Sequence, residues 1–109
     1  MSNSVKKLIM VFIFFLMTAS AGAESRFDVI FVDVGQGDCS IIKCDGETLV
    51  IDAGTKNTGM DVQEALFKLG VERINTIAAT HPDRDHNAYL DDLIRLYRPM
   101  RILLPPIEE

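Results

Sequence analysis

The chain lacks a basic surplus, a long apolar run, a bridgeable cysteine pair and any linker or repeat, and each lack narrows its function. Lysine and arginine number 11 against 16 aspartates and glutamates, for a formal net charge of −5 over 109 residues. That balance argues against a broad basic surface for gripping nucleic acid. It leaves open nucleic-acid chemistry at bound metal ions, which bring their own positive charge. The strongest apolar run, Leu8 to Met17, falls short of the roughly 20 residues of a comfortable membrane span. With no multi-span region, the chain is not itself a DNA-uptake channel. Lys6 and Lys7 before that run and Ala21-Gly22-Ala23 after it give the layout of a secretory signal peptide over residues 1–23, the alternative being an uncleaved anchor. Cleavage after Ala23 is expected to release residues 24–109 to the periplasm or the extracellular space, with no stable membrane span. Loss of the two lysines then moves the formal charge from −5 to −7.

Cys39 and Cys44 are expected on one strand, pointing to opposite faces, a geometry that disfavours a disulfide. One buried thiol and one near a turn is the expected arrangement. A single CxxxxC pair is also a weak zinc signal. The loop from Gly54 to Gly59 lacks the following Lys-Ser/Thr of a phosphate loop. Nothing divides 24–109 into two domains, so one modest core is expected.

What is present is concentrated in Thr80-His81-Pro82-Asp83-Arg84-Asp85-His86. His81, Asp83, Asp85 and His86 are four potential metal ligands within six positions. Two imidazoles and two carboxylates suit zinc, manganese or iron, which accept mixed nitrogen and oxygen donors. The spacing argues against a helix as the carrier, because residues two apart on a helix face different directions and Pro82 resists helical continuation. Ile74 to Thr80 reads as a strand and Tyr89 to Tyr97 as a helix, which places the four on a strand-to-helix loop, where open α/β sheets put their chemistry. The plainer reading is a polar loop whose aspartates cap the next helix.

Phe27 to Val34 is almost continuously apolar and β-branched, as expected of a central strand buried on both faces. Cys39 to Cys44 and Glu47 to Asp52 form a hairpin around Asp45-Gly46. A helix follows from about Asp61, its cap, to Leu69, with Val62, Ala65, Leu66 and Leu69 as its apolar stripe and Gly70 as its stop. The second helix presents Leu90, Leu93, Ile94 and Tyr97 at the same spacing, and Arg101 to Leu104 starts a last strand. The predicted order is β-β-β-α-β-α-β, an α/β layer architecture.

Three motifs in this order, Asp33-Val34-Gly35-Gln36-Gly37-Asp38, Ile51-Asp52-Ala53-Gly54 and Thr80 to His86, resemble the metallo-β-lactamase superfamily. The first points more narrowly to the branch of the ComEC-type competence proteins. The resemblance implies an αββα sandwich of which residues 24–109 form the N-terminal half only. It implies one or two divalent ions, zinc or manganese, with His81 at the first metal and Asp85 and His86 at the second, Asp85 also being the catalytic candidate. Asp83 stands where relatives commonly carry a second histidine and is a harder donor. Asn87-Ala88-Tyr89 stands where they usually carry Ile-Gly-Gly, and this loss of small residues is expected to crowd the metal loop or change substrate approach. For Asp33 and Asp38 the readings are turn chemistry or a supporting role behind the metal ligands. Asp52 is expected to act behind the ligands, because the family keeps an acid there.

The function these features imply is an exported metal-dependent hydrolase domain in which activated water attacks a phosphodiester, ester or amide bond, with DNA or nucleotides as first substrates. The alternatives are a non-catalytic fragment and a small exported metal-binding or interaction module. Family enzymes need a further histidine and acid from the half that follows this one. The chain alone is therefore expected not to be a competent hydrolase, to leave one apolar sheet face uncovered, and to need a dimer or partner chain to complete the fold.

Overall fold

The local turn chemistry is obeyed first. In the computed structural model, which describes residues 2–21, 25–82 and 84–106, Asp45 and Gly46 take φ of 47° and 86°. Two consecutive positive φ values define the two-residue turn that matches strand twist. This turn joins β2 (Ser40–Cys44) to β3 (Glu47–Ile51), with Cys44 opposite Glu47. Ahead of them come α1 (Asn3–Ala21) and β1 (Phe27–Phe31). After them a 3-10 turn (Lys56–Thr58) leads into α2 (Gly59–Lys68), β4 (Thr76–Ala78), α3 (Arg84–Tyr97) and β5 (Arg101–Leu103). The sheet runs β1-β2-β3-β4-β5, antiparallel across its first three strands and parallel across its last three. Past α1, the order is the predicted β-β-β-α-β-α-β. The cleavage position after Ala23 lies outside the described residues.

One sheet face carries the core. Ile41, Val50 and Ile77 stand side by side in register, cluster with Val62, Ala65 and Leu66 of α2 and Leu90 and Leu93 of α3, and are buried with them. Burying each large aliphatic of this set contributes about 1.5–3 kcal/mol. The helix α2 ends at Lys68 with Leu69 as its C-cap and Gly70 just beyond, and Lys43 Nζ donates to Leu69 O and Gly70 O at 3.0 and 3.1 Å. A cation there suits the negative end of the helix dipole. The opposite sheet face aligns Phe31, Ser40, Ile51, Ala78 and Leu103 in one row, and Phe31 at its edge is 80% exposed.

Three local expectations are corrected. The first strand stops at Phe31 and lies at the sheet edge, with alternating exposure, rather than at the centre with both faces buried. Its neighbour is β2 on one side only, and Val34 reaches the core from the following loop. Asp61 lies inside the first turn of α2 and does not cap it; the N-cap is Thr58, without a side-chain bond. The 3-10 turn feeds directly into the helix, so no separate cap is needed to start it. The third helix begins at Arg84, not Tyr89, so Asp85 and His86 belong to its opening turn. Asn87, with φ −129° and ψ 19°, then breaks that turn from the helix body. The spacing argument against helix misses this because the helical period does not run through the break. Cys39 is buried and Cys44 exposed, both as free thiols, as expected.

Candidate metal centre

The pairing of Ile51 with Ala78 across β3 and β4 brings the chain segments that leave those strands to the same end of the sheet. Asp52 leaves β3 with φ 58°, a left-handed conformation that aspartate tolerates better than most residues. Its N–H donates to Ala78 O at 2.9 Å, and its side chain turns inward, only 2% exposed. A buried carboxylate is costly unless hydrogen-bonded, and this one has three donors. The Thr80 N–H donates to Oδ1 at 2.9 Å, the Thr80 hydroxyl to Oδ2 at 2.6 Å, and Asn87 Nδ2 to Oδ1 at 2.9 Å. Bonds to an ionised acceptor are the strong ones.

The Thr80 hydroxyl has one proton, and the 2.6 Å bond assigns it to Asp52. His81 Nδ1 lies 2.7 Å from the same Oγ1, which is then left to accept. His81 Nδ1 is therefore the donor of this pair. A ligating histidine is commonly held this way, its second ring nitrogen donating to a fixed oxygen. A ring anchored through Nδ1 in this manner fits the way a histidine is held beside a divalent metal. His81 is half-buried at the rim of a concavity of about 360 Å³, whose floor and wall include Ile77, Leu90 and Ile94.

Asn87 links the remaining pieces. Its Nδ2 also lies 3.3 Å from His81 O, and its Oδ1 accepts from Ala53 N–H at 3.3 Å. Gly54 must be glycine. Its φ is +68°, and a Cβ there would fall 2.7 Å from Thr58 Oγ1 and 2.9 Å from Val34 Cβ. The turn after β1 thereby packs directly on the loop after β3. Asp33 Oδ1 accepts from Gly35 N–H at 3.1 Å within its own turn, and Asp38 is exposed. Of these three acids, Asp52 is the one that hydrogen bonds connect to His81. Asp83 and the side chains of Asp85 and His86 lie outside the described residues, and among the described residues no three acidic, cysteine or histidine groups converge on one point.

Tyr89 takes its bulk away from the loop. Its ring lies over Gly59, and its hydroxyl accepts from Gln63 Nε2 at 3.0 Å while Tyr97 donates to Gln63 Oε1 at 3.0 Å. Thr80 and Asn87 are the residues of this hydrogen-bond network that motif reasoning passes over. The signal for Thr80 is a hydroxyl directly before the first histidine. For Asn87 it is a polar group where relatives place an apolar one.

The buried acid, the relay hydroxyl and the imidazole gather at one end of a mixed sheet. Among solved structures, BJP-1, a subclass B3 metallo-beta-lactamase of Bradyrhizobium japonicum, matches with a TM-score of 0.59 and 16% identity. The match covers 72% of this chain and 31% of that one, so the chain spans under a third of that structure's length, and at this identity the likeness is one of fold. No curated protein sequence matches. Residues 32–108 match the sequence profile of the metallo-beta-lactamase superfamily, and the chain belongs to that superfamily.

Proposed function

We propose that this domain serves a metal-dependent hydrolase that acts on phosphodiester bonds in DNA or nucleotides, outside the cytoplasm. The Asp52–Thr80–His81 chain of hydrogen bonds carries the reading. It anchors one imidazole through Nδ1, at the start of a run that also holds Asp83, Asp85 and His86. In this reading His81 and Asp83 hold a first zinc or manganese ion, and Asp85 and His86 hold a second. The bound metal would supply Lewis-acid activation of water and positive charge for the developing oxyanion. The chain's own part is to keep His81 in one tautomer, to withhold Asp52 from solvent, and to offer Asp85 beside the attacked bond.

The substrate class rests on chemistry and on likeness. A chain with net charge −5 meets a polyanion through bound cations rather than a basic surface. The Asp33-to-Asp38 run resembles that of the ComEC-type competence proteins. Export rests on Lys6, Lys7 and the apolar segment after them. Among the described residues no helix is long and apolar enough to cross a membrane. The test uses protein isolated from its own cells, with manganese or zinc, against single-stranded DNA, a chromogenic phosphodiester and a β-lactam. Phosphodiester turnover lost in His86→Ala is the expected result. Turnover of the β-lactam alone would reassign the substrate, and metal uptake without any turnover would make the domain a binding module.

A further inference from the structure

The Asn87 side chain bonds to three separate backbone or side-chain sites around the candidate centre. It donates to the buried Asp52 carboxylate and to the His81 carbonyl, and it accepts from the Ala53 amide. Its own backbone is the break between the opening turn of α3 and the helix body. The first donor of the run, His81, is thus tied to Asn87 through its carbonyl. The last donor, His86, is the residue covalently before Asn87. Asp52, which orders Thr80 and through it His81, is tied to Asn87 as well. We propose that Asn87 is a positioning residue that sets the separation and relative orientation of the first and last metal donors. This rests on the metal-centre reading above and adds a residue to it.

The geometry gives the side chain no simpler purpose. A small or apolar residue would let α3 begin without interruption and would need no donors. Asn87 is almost fully buried, and burying an amide without partners is unfavourable; here each of its polar atoms has a partner. Asparagine is also one of few residues at ease outside the helical region. The polar clamp and the helix break are therefore one device.

The experiment uses cobalt as a spectroscopic probe in the full chain, because its visible absorption reports donor geometry. Affinity is measured by competition with a chelator in wild type, Asn87→Ala and Tyr97→Phe. Tyr97 lies in the helix–helix network away from the centre and serves as the control for general loosening. Asn87→Ala is expected to bind cobalt about 10- to 100-fold more weakly, as for partners of ligating residues, with an altered absorption spectrum, while Tyr97→Phe keeps both. Wild-type affinity and spectrum in Asn87→Ala would overturn the role of Asn87 and leave the metal centre standing. A wild-type chain that takes up no cobalt would overturn both. Should Asn87→Ala fail to fold, side-chain amide exchange of Asn87 in the wild type decides: slow exchange supports the clamp, and exchange at the rate of exposed asparagines overturns it.

Discussion

Gly59 and Tyr89 share one space: a Cβ on Gly59 would lie 2.5 Å from Tyr89 Cε2. The bulk of the tyrosine is accepted by a glycine on the neighbouring helix. Gly59 has φ −58°, an ordinary helical value, so its smallness serves the ring rather than the backbone. Alanine there would gain about 1 kcal/mol of helix propensity over glycine, but overpacking of a filled contact costs about 1–3 kcal/mol. Gly59→Ala is therefore expected to destabilise the fold in urea denaturation. Combining it with Tyr89→Leu should recover part of the loss, since touching residues do not act additively. A more stable Gly59→Ala would show that the ring simply moves aside.

Thr80→Val keeps the shape of the side chain and removes the hydroxyl between Asp52 and His81. The buried Oδ2 of Asp52 then loses a donor, at about 1–3 kcal/mol. The His81 ring loses the oxygen that fixes its tautomer, so zinc affinity should fall about 10- to 100-fold. Denaturation and chelator competition read the two effects separately. Unchanged affinity would mean that the relay stabilises the fold without serving a metal.

Burial first, and the negative charge of Asp52 second, push the Cys39 thiol from 9.0 up to about 12. Between these values the unfolded chain loses this proton and the folded chain keeps it, so the unfolded state gains and stability falls as pH rises across the window. Cys39→Ala should flatten that part of the stability profile. The same burial predicts that a thiol reagent modifies Cys44 quickly in native protein and Cys39 only after unfolding.

Histidine occurs only at positions 81 and 86, fewer than a two-metal centre of this superfamily is expected to use. The 109-residue polypeptide on its own should bind metal weakly and give no phosphodiester turnover above background. Turnover that requires His86 in that polypeptide would show that a second copy supplies the missing donors, and its dependence on protein concentration would reveal the assembly.

Element order was legible in the sequence because each signal is local. The Asp45-Gly46 turn, the stripe through Val62 and Leu66, and the stop at Gly70 act within a few residues. What escaped depends on neighbours. The apolar content of Phe27 to Val34 does not say whether a strand lies on both sides of it, and the edge position of β1 comes from sheet order. The histidine–aspartate run is visible at once, yet the tie from Thr80 to Asp52 is not, because only the parallel pairing of β3 with β4 brings those residues together. Asn87 could be singled out as a departure, but its partners on two other segments could not.

That parallel pairing also gives the domain an order of assembly. The hairpin of β2 and β3 closes over two turn residues, whereas the bonds from Asp52 to Thr80 and Asn87 join positions 28 and 35 apart. Contacts at such separation form only after the chain between them has been gathered in. The relay behind His81 is thus among the last things the polypeptide completes. A metal held there would act as a latch on the finished crossover, favouring the state in which α2 has already docked.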